Sequence, residues 1–235
     1  MLSRFTHRSN QIEIMDDLQC QGEVVHQTLR ELEFINRWLG GNVVTLEAVK
    51  KLIKNRDHET LTIADLGCGG GDMLKLLADW GRRNSRSLKL VGIDSNPHII
   101  DFARTNCEDY PEISFETVDV FSLDFQQKKY DIAMGTLFYH HFSSAQLVNL
   151  FSKLIHQARI GIVINDIHRH WLAFYSIRLL TKLFSKSAMV KFDAPLSVLR
   201  AFTKPELVDI MSRADIRQYQ IKWKWAFRWQ IITQA

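Results

Sequence analysis

Leu61-Thr-Ile-Ala-Asp-Leu-Gly-Cys-Gly-Gly-Gly-Asp72 is the stretch on which the fold turns. Leu61 to Leu66 is a short apolar run, long enough for a strand buried on both faces. It ends in a glycine cluster and opens into a helical pattern from Met73 to Trp80. Strand, tight turn and helix make a unit that cradles a nucleotide-like ligand. Glycines let the backbone come close, and the helix N-terminus offers free N–H groups. The dinucleotide spacing G-x-G-x-x-G fails here. Started at Gly67 it needs a glycine where Asp72 stands, and started at Gly69 it needs one where Leu74 stands. The pattern is Gly67-x-Gly69-x-Gly71, with Asp65 before it and Asp72 after it. Two carboxylates at the cradle repel a pyrophosphate. A nucleoside ligand with a cationic ammonium and no phosphate tolerates them.

Downstream, the pattern repeats. Leu88 to Asp94 reads as a second strand ending in Asp94, and Asn96-Pro97 starts a helix. A carboxylate at that strand end suits a ribose diol, because it can accept from both hydroxyls. Ile113 to Val118 alternates as a third strand and leads into Asp119-Val120. Tyr130 to Gly135 is a fourth strand running into Thr136-Leu-Phe-Tyr-His-His-Phe142, with Ser143 or Ser144 capping a helix over Gln146 to Ile155. Arg159 to Ile164 is a fifth strand leading to Asn165-Asp166-Ile167-His168. Strands alternate with helical connections, so the expectation is an α/β fold with a parallel, doubly wound sheet. Ligands of such sheets bind outside the C-terminal strand ends. The glycine turn, Asp94, Asp119, Thr136 to His141 and Asp166 to His168 all fall there.

Asp65-Leu-Gly-Cys-Gly-Gly-Gly71 resembles motif I of the class I S-adenosylmethionine (SAM)-dependent methyltransferases, and the resemblance covers roughly residues 60 to 165. It implies a Rossmann-like, mostly parallel seven-stranded sheet closed by a C-terminal antiparallel hairpin. It also implies S-adenosyl-L-methionine as cofactor. On that resemblance Asp65, Gly67, Cys68, Gly69 and Gly71 hold the methionine end, and Asp94 with Ser95 takes the ribose. Asp119 accepts from the adenine amino group with Val120 against the ring, and Thr136 joins the set from the fourth strand. Residues 134 to 142 are similar to ubiquinone/menaquinone-type and polyketide-tailoring methyltransferases, in which paired histidines are frequent there.

The flanks lie outside that resemblance. Residues 1 to 21 are polar and read as loosely held, with Met15-Asp16-Asp17-Leu18 as a helix-cap pattern. Gly22 to Leu39 reads as a helix with its stripe at Val25, Leu29, Leu32, Ile35 and Leu39, stopped by Gly40-Gly41. Thr45 reads as the N-cap of a second helix with Leu46, Val49, Leu52 and Ile53 inward. Arg82 to Arg86 reads as a solvated loop. Trp171 to Phe184 is apolar around most of a helix, in a stretch rich in Arg and Lys. It fits a buried helix, the wall of a hydrophobic pocket, or a peripheral membrane contact. Thr203 with Glu206 forms a capping box, and Arg217 to Trp225 with Phe227 to Thr233 reads as the terminal hairpin. The chain divides into a helical cap (1–58), a cofactor-binding core (59–166), a helical lid or insertion (167–202) and a terminal helix with hairpin (203–235).

Composition sets outer limits. The 235 residues, 46% hydrophobic and 24% charged, suit one filled α/β domain. A net charge of +4 is weak support for nucleic acid. Cys20, Cys68 and Cys107 form no C-x-x-C pair, and the N-terminus carries no apolar signal core, so a cytoplasmic protein is expected. A methyl donor brings its own leaving group, so the protein must place a nucleophile and take its proton. His140, His141 and His168 are the candidate bases, with Asp166 as an orienting partner. The spacing of His140, His141, Asp166, His168 and His170 matches no metal motif, and no metal is expected. The reading is methyl transfer to a small, lipophilic, aromatic hydroxyl acceptor, O-methylation ahead of C-methylation. An RNA methyltransferase and a non-catalytic SAM-binding regulator stay open as rivals.

Overall fold

The computed structural model describes residues 2–56 and 58–234, apart from the side chains of Leu2 and Ser3. Met1, Asp57 and Ala235, which fall within the segments delimited above, lie outside the described residues. The core is a seven-stranded sheet in the order β3-β2-β1-β4-β5-β7-β6. Its strands are β1 (Leu61–Leu66), β2 (Leu88–Asp94), β3 (Ile113–Thr117), β4 (Tyr130–Thr136), β5 (Ala158–Ile167), β6 (Tyr219–Lys224) and β7 (Arg228–Thr233). The first five run parallel. β7 runs antiparallel to β5 and pairs with β6 in the terminal hairpin. Strand order reverses between β1 and β4, so the crevice at their C-terminal ends is open to a ligand.

Nine α-helices surround the sheet among the described residues: α1 (Glu23–Trp38), α2 (Gly41–Leu52), α3 (Asp72–Arg83), α4 (Pro97–Asn106), α5 (Leu123–Gln126), α6 (Ser144–Gln157), α7 (Trp171–Phe184), α8 (Ala188–Arg200) and α9 (Lys204–Arg213). Because β1 is buried on both faces, its side chains divide between two cores. Ala64 and Leu66 join α6 and α9 through Leu147, Phe151, Leu207 and Ile210. Leu61 and Ile63 join α2 and α3 through Val49, Leu74 and Leu77.

The flanking helices depart from the sequence reading in instructive ways. Thr45 is not an N-cap. Gly40 adopts φ +70°, which ends α1 and lets α2 begin at once at Gly41. Thr45 therefore lies a turn inside α2, buried, with its hydroxyl 2.7 Å from that of Thr136 and accepting from Asn165 Nδ2 at 3.0 Å. α3 runs on to Arg83, so the loop expected over Arg82 to Arg86 starts two residues later. Arg82 is held by Glu112 at 2.7 Å.

The segment from Arg8 to Met15 is not loose. Arg8 Nη2 donates to the carbonyls of His140 and Phe142, and the backbone N–H groups of Ile14 and Met15 donate to the Asp193 carboxylate at 2.8 and 3.0 Å. The Met15–Leu18 pattern caps no helix. Ile14–Asp16 is a short 3-10 turn, and α1 starts only after Gly22. The Thr203–Glu206 box is present. Glu206 Oε2 accepts from Thr203 N–H at 2.7 Å, and the same carboxylate grips buried Arg169 with both oxygens.

Candidate active site

The glycine turn is clamped onto the end of β2. The N–H groups of Gly67 and Cys68 both donate to the Ile93 carbonyl, at 2.8 and 3.1 Å. Gly67 has φ +67°, and a Cβ there would overlap the Phe138 ring, so only glycine satisfies both the turn and the approach. Asp65, near the end of β1, is buried, and its Oδ1 has no partner. Burial pushes its carboxyl well above the usual range, and Asp72 and Asp94 push the same way. Asp72 accepts from Asn42 Nδ2 at 2.7 Å, and Asp94 Oδ1 from the Asn96 N–H at 3.0 Å. Among the described residues none of the three carboxylates forms an ion pair. A convergence of carboxyls without a cation favours a positively charged group in their midst.

A cavity of about 800 Å³ opens beside the turn. That is room for a small-molecule site. Its floor includes Asp65, Gly67, Cys68, Gly69, Asp94, Ser95 and Thr136, the residues picked out at the strand ends. Leu32, Ile35 and Leu39 of the α1 stripe roof it, and Ile177 and Leu180 of α7 form a wall with Val190 of α8. Gly71 lies behind the turn, packed toward Cys107 and Phe115. Asp119 is exposed and accepts from the Phe121 N–H at 2.9 Å, while Val120 is buried in the core; neither lines the cavity.

The histidines separate clearly. Leu137 takes a left-handed φ of +57° at the end of β4, its N–H bonded to the Asn165 carbonyl, and this turns Tyr139–His141 over the cavity. His140 is 2% exposed. Its backbone N–H donates to Asp166 Oδ2 at 3.0 Å, and its Nδ1 lies 2.8 Å from Asp166 Oδ1. A carboxylate only accepts, so Nδ1 carries the hydrogen of that bond. Burial would raise the Asp166 carboxyl, but His140 beside it holds it below the usual carboxylate range. His140 Nε2 has no hydrogen-bond partner and lies 3.6 Å from Glu13 Oε1. His141 Nδ1 is 2.5 Å from Asp16 Oδ1. His168 is absent from the cavity wall. It is half-buried against Trp229 and His170, and burial, with His170 and Arg169, lowers its pKa to about 4.

The sequence reading gave no site role to Glu13, Asp16 or Arg200. Arg200 Nη1 donates to Asp16 Oδ2 at 2.6 Å and its Nη2 to the His141 carbonyl at 2.6 Å, tying the N-terminal strap to the histidine turn. No periodicity marks these residues, and Asp16 meets His141 across 125 positions. Donor atoms of Glu13, His140 and His141 lie within 4.8 Å of one another, close enough for a divalent cation. Arg200 Nε, 3.7 Å from the same Glu13 carboxyl, already brings positive charge there.

Residues 63–161 match the family model described as a methyltransferase domain. That stretch is similar to a methyltransferase domain, and the chain has the α/β methyltransferase fold. The fold recurs in solved structures of low sequence identity. The plantazolicin methyltransferase BpumL, in complex with a triazolic desmethylPZN analog and SAH, has a TM-score of 0.67 at 14% identity, over 88% of this chain and 89% of that one. Human N-acetylserotonin methyltransferase, in complex with SAM, has a TM-score of 0.66 at 18% identity, over 99% of this chain and 61% of that one. The CurJ carbon methyltransferase has a TM-score of 0.60 at 15% identity, over 83% of this chain and 54% of that one. The last two proteins are substantially longer than the methyltransferase fold they share with this chain. No curated protein matches the chain by sequence.

Proposed function

We propose that the protein is a SAM-dependent methyltransferase acting on a small, lipophilic, aromatic hydroxyl acceptor, with His140 as general base. The observation that carries the reading is the buried His140–Asp166 pair. One ring nitrogen is committed to a carboxylate, and the other is left unpartnered at a cavity with an apolar roof. The residues fit the cofactor. Asp65, with its unpartnered oxygen, and Asp72 suit an ammonium, and Asp94 suits a ribose diol. Asp119 and Val120 remain the proposed adenine contacts, reached from the end of β3. When bound, SAM supplies an electrophilic methyl on a sulfonium.

The chain does the rest. A phenol is about one part in a thousand ionised at pH 7, so a base that takes its proton as the new bond forms is worth about 10² to 10⁴ in rate. His140 Nε2 takes that proton. Asp166 fixes the tautomer and steadies the imidazolium that results. Leu32, Ile35, Ile177 and Leu180 exclude water around the reacting oxygen.

One of the solved structures sharing the fold is named a carbon methyltransferase, and the aromatic hydroxyl proposed here rests on the histidine. His140→Ala is expected to lower turnover on phenolic acceptors by about 10² to 10⁴ while leaving S-adenosylhomocysteine affinity within about twofold, read by product formation and calorimetry. Unchanged turnover in that variant would remove the base and favour C-methylation or a non-catalytic binder. Salt-sensitive binding to RNA with a steep slope would favour the RNA reading instead.

The outer face of α7 accords with an acceptor drawn from a bilayer. Leu172, Leu179 and Leu183 are exposed there beside Arg178 and Lys182, and the face carries no acid. A peripheral contact with an anionic lipid surface is therefore part of the proposal.

A further inference from the structure

A second arginine faces the cavity and has no counter-charge. Arg228 opens β7 opposite Ile167, at the ligand-binding end of β5, and lines the cavity beside Asn36, Leu39 and Asn42. It is 4% exposed. Its Nη2 donates to Asn36 Oδ1 at 2.7 Å, but Nε and Nη1 meet no acceptor. Among the described residues it forms no ion pair, and Asp166 acts on it only from a distance. Burial lowers its pKa to about 10, so it stays charged near neutrality.

The contrast with Arg200, the other arginine in the wall, is direct. Arg200 is paired with Asp16 and bonded to backbone carbonyls. The space for the Arg228 guanidinium is reserved by Gly41, where a Cβ would fall 2.5 Å from Nη2. A buried guanidinium with unused N–H groups is costly unless something of opposite charge completes it.

We infer that Arg228 binds a carboxylate of a ligand held in this cavity. A singly charged, planar carboxylate suits a guanidinium. A phosphate dianion would meet Asp65, Asp72 and Asp94 in the same wall. Two sources share this chemistry: the amino-acid carboxylate of the cofactor, and an acid group on the acceptor. The inference rests on the methyltransferase reading for the choice of nucleoside probes, and on the cavity alone for the rest.

The test uses the full chain, Arg228→Met and Arg228→Lys, with calorimetric titration of three probes. These are S-adenosylhomocysteine, its decarboxylated analogue that keeps the ammonium, and benzoate. If the cofactor is the source, wild type prefers S-adenosylhomocysteine to the analogue, and Arg228→Met erases about ten- to a hundredfold of that affinity while the analogue binds as before. If the acceptor is the source, Arg228→Met leaves both nucleosides alone and abolishes benzoate binding, which Arg228→Lys partly restores. If Arg228→Met does not fold, Arg228→Lys decides, through a loss of the preference for S-adenosylhomocysteine or a weakened affinity for benzoate. Wild type that ignores the carboxylate of both probes overturns the inference, as does a folded variant that binds all three like wild type. Failure of wild type to bind either nucleoside would instead count against the methyltransferase reading, with the benzoate arm still judging Arg228.

Discussion

At the scale of single residues, Glu13 is the least expected and the most easily tested. Burial pushes its carboxyl up to about 7, with His141 and Arg200 pulling weakly the other way. The folded chain therefore holds a proton between about pH 4.5 and 7 that the unfolded chain has released, and stability falls as pH rises through that window. The loss amounts to roughly 3 kcal/mol when complete. Glu13→Gln keeps an acceptor for Ser197, whose hydroxyl bonds Glu13 Oε2 at 2.9 Å, and removes the titration. Urea unfolding is expected to show the variant gaining on wild type as pH goes from 5 to 8, and a constant difference would count against the buried carboxyl. Asp65 and Asp94 were legible in the sequence because each lies at or next to the end of a strand. Glu13 was not, since its place is set by bonds from Ile14 and Met15 to Asp193, as much as 179 positions away.

At the scale of elements, periodicity told which helices exist but not what each covers. The stripe of α1 is evenly spaced, yet Val25 is core, Leu29 is shared between core and cavity, and Leu32, Ile35 and Leu39 line the cavity. Helical spacing marks a face and cannot say whether that face meets protein or ligand. Thr45 shows the complementary failure: the residue type suits a cap, but Gly40 in the left-handed region starts the helix earlier. The sides of α7 differ, and the lipid contact remains a proposal for the outer one. Ile177 and Leu180 line the cavity, Phe174 packs with Val198 and Leu199, and Leu179 and Leu183 face outward. A double change, Leu179→Asn with Leu183→Asn, is expected to leave stability within about 1 kcal/mol, as exposed positions do. It is also expected to abolish co-sedimentation with vesicles containing anionic lipid. Wild-type protein that stays in the supernatant with those vesicles would contradict the lipid contact.

At the scale of the whole molecule, the sheet was the most legible feature. Five strands, each followed by a turn and a helix, leave a parallel sheet with its switch between β1 and β4 as the natural topology. The site then forms where that switch meets three added pieces: the N-terminal strap, α1, and the α7–α8 pair. The strap carries Glu13 and Asp16 to the histidine turn, and Arg8 and Arg200 stitch it down. No helix among the described residues is long and apolar enough to cross a membrane, so any lipid contact is made by faces such as that of α7. Occupation of the cavity by S-adenosylmethionine is the central claim. Titration of S-adenosylhomocysteine into wild type and Asp94→Ala by calorimetry tests it most directly. The account predicts one-to-one binding to wild type, weakened about ten- to a hundredfold when the carboxylate at the end of β2 is removed. Absence of binding to wild type, or equal affinity in the two proteins, would contradict it.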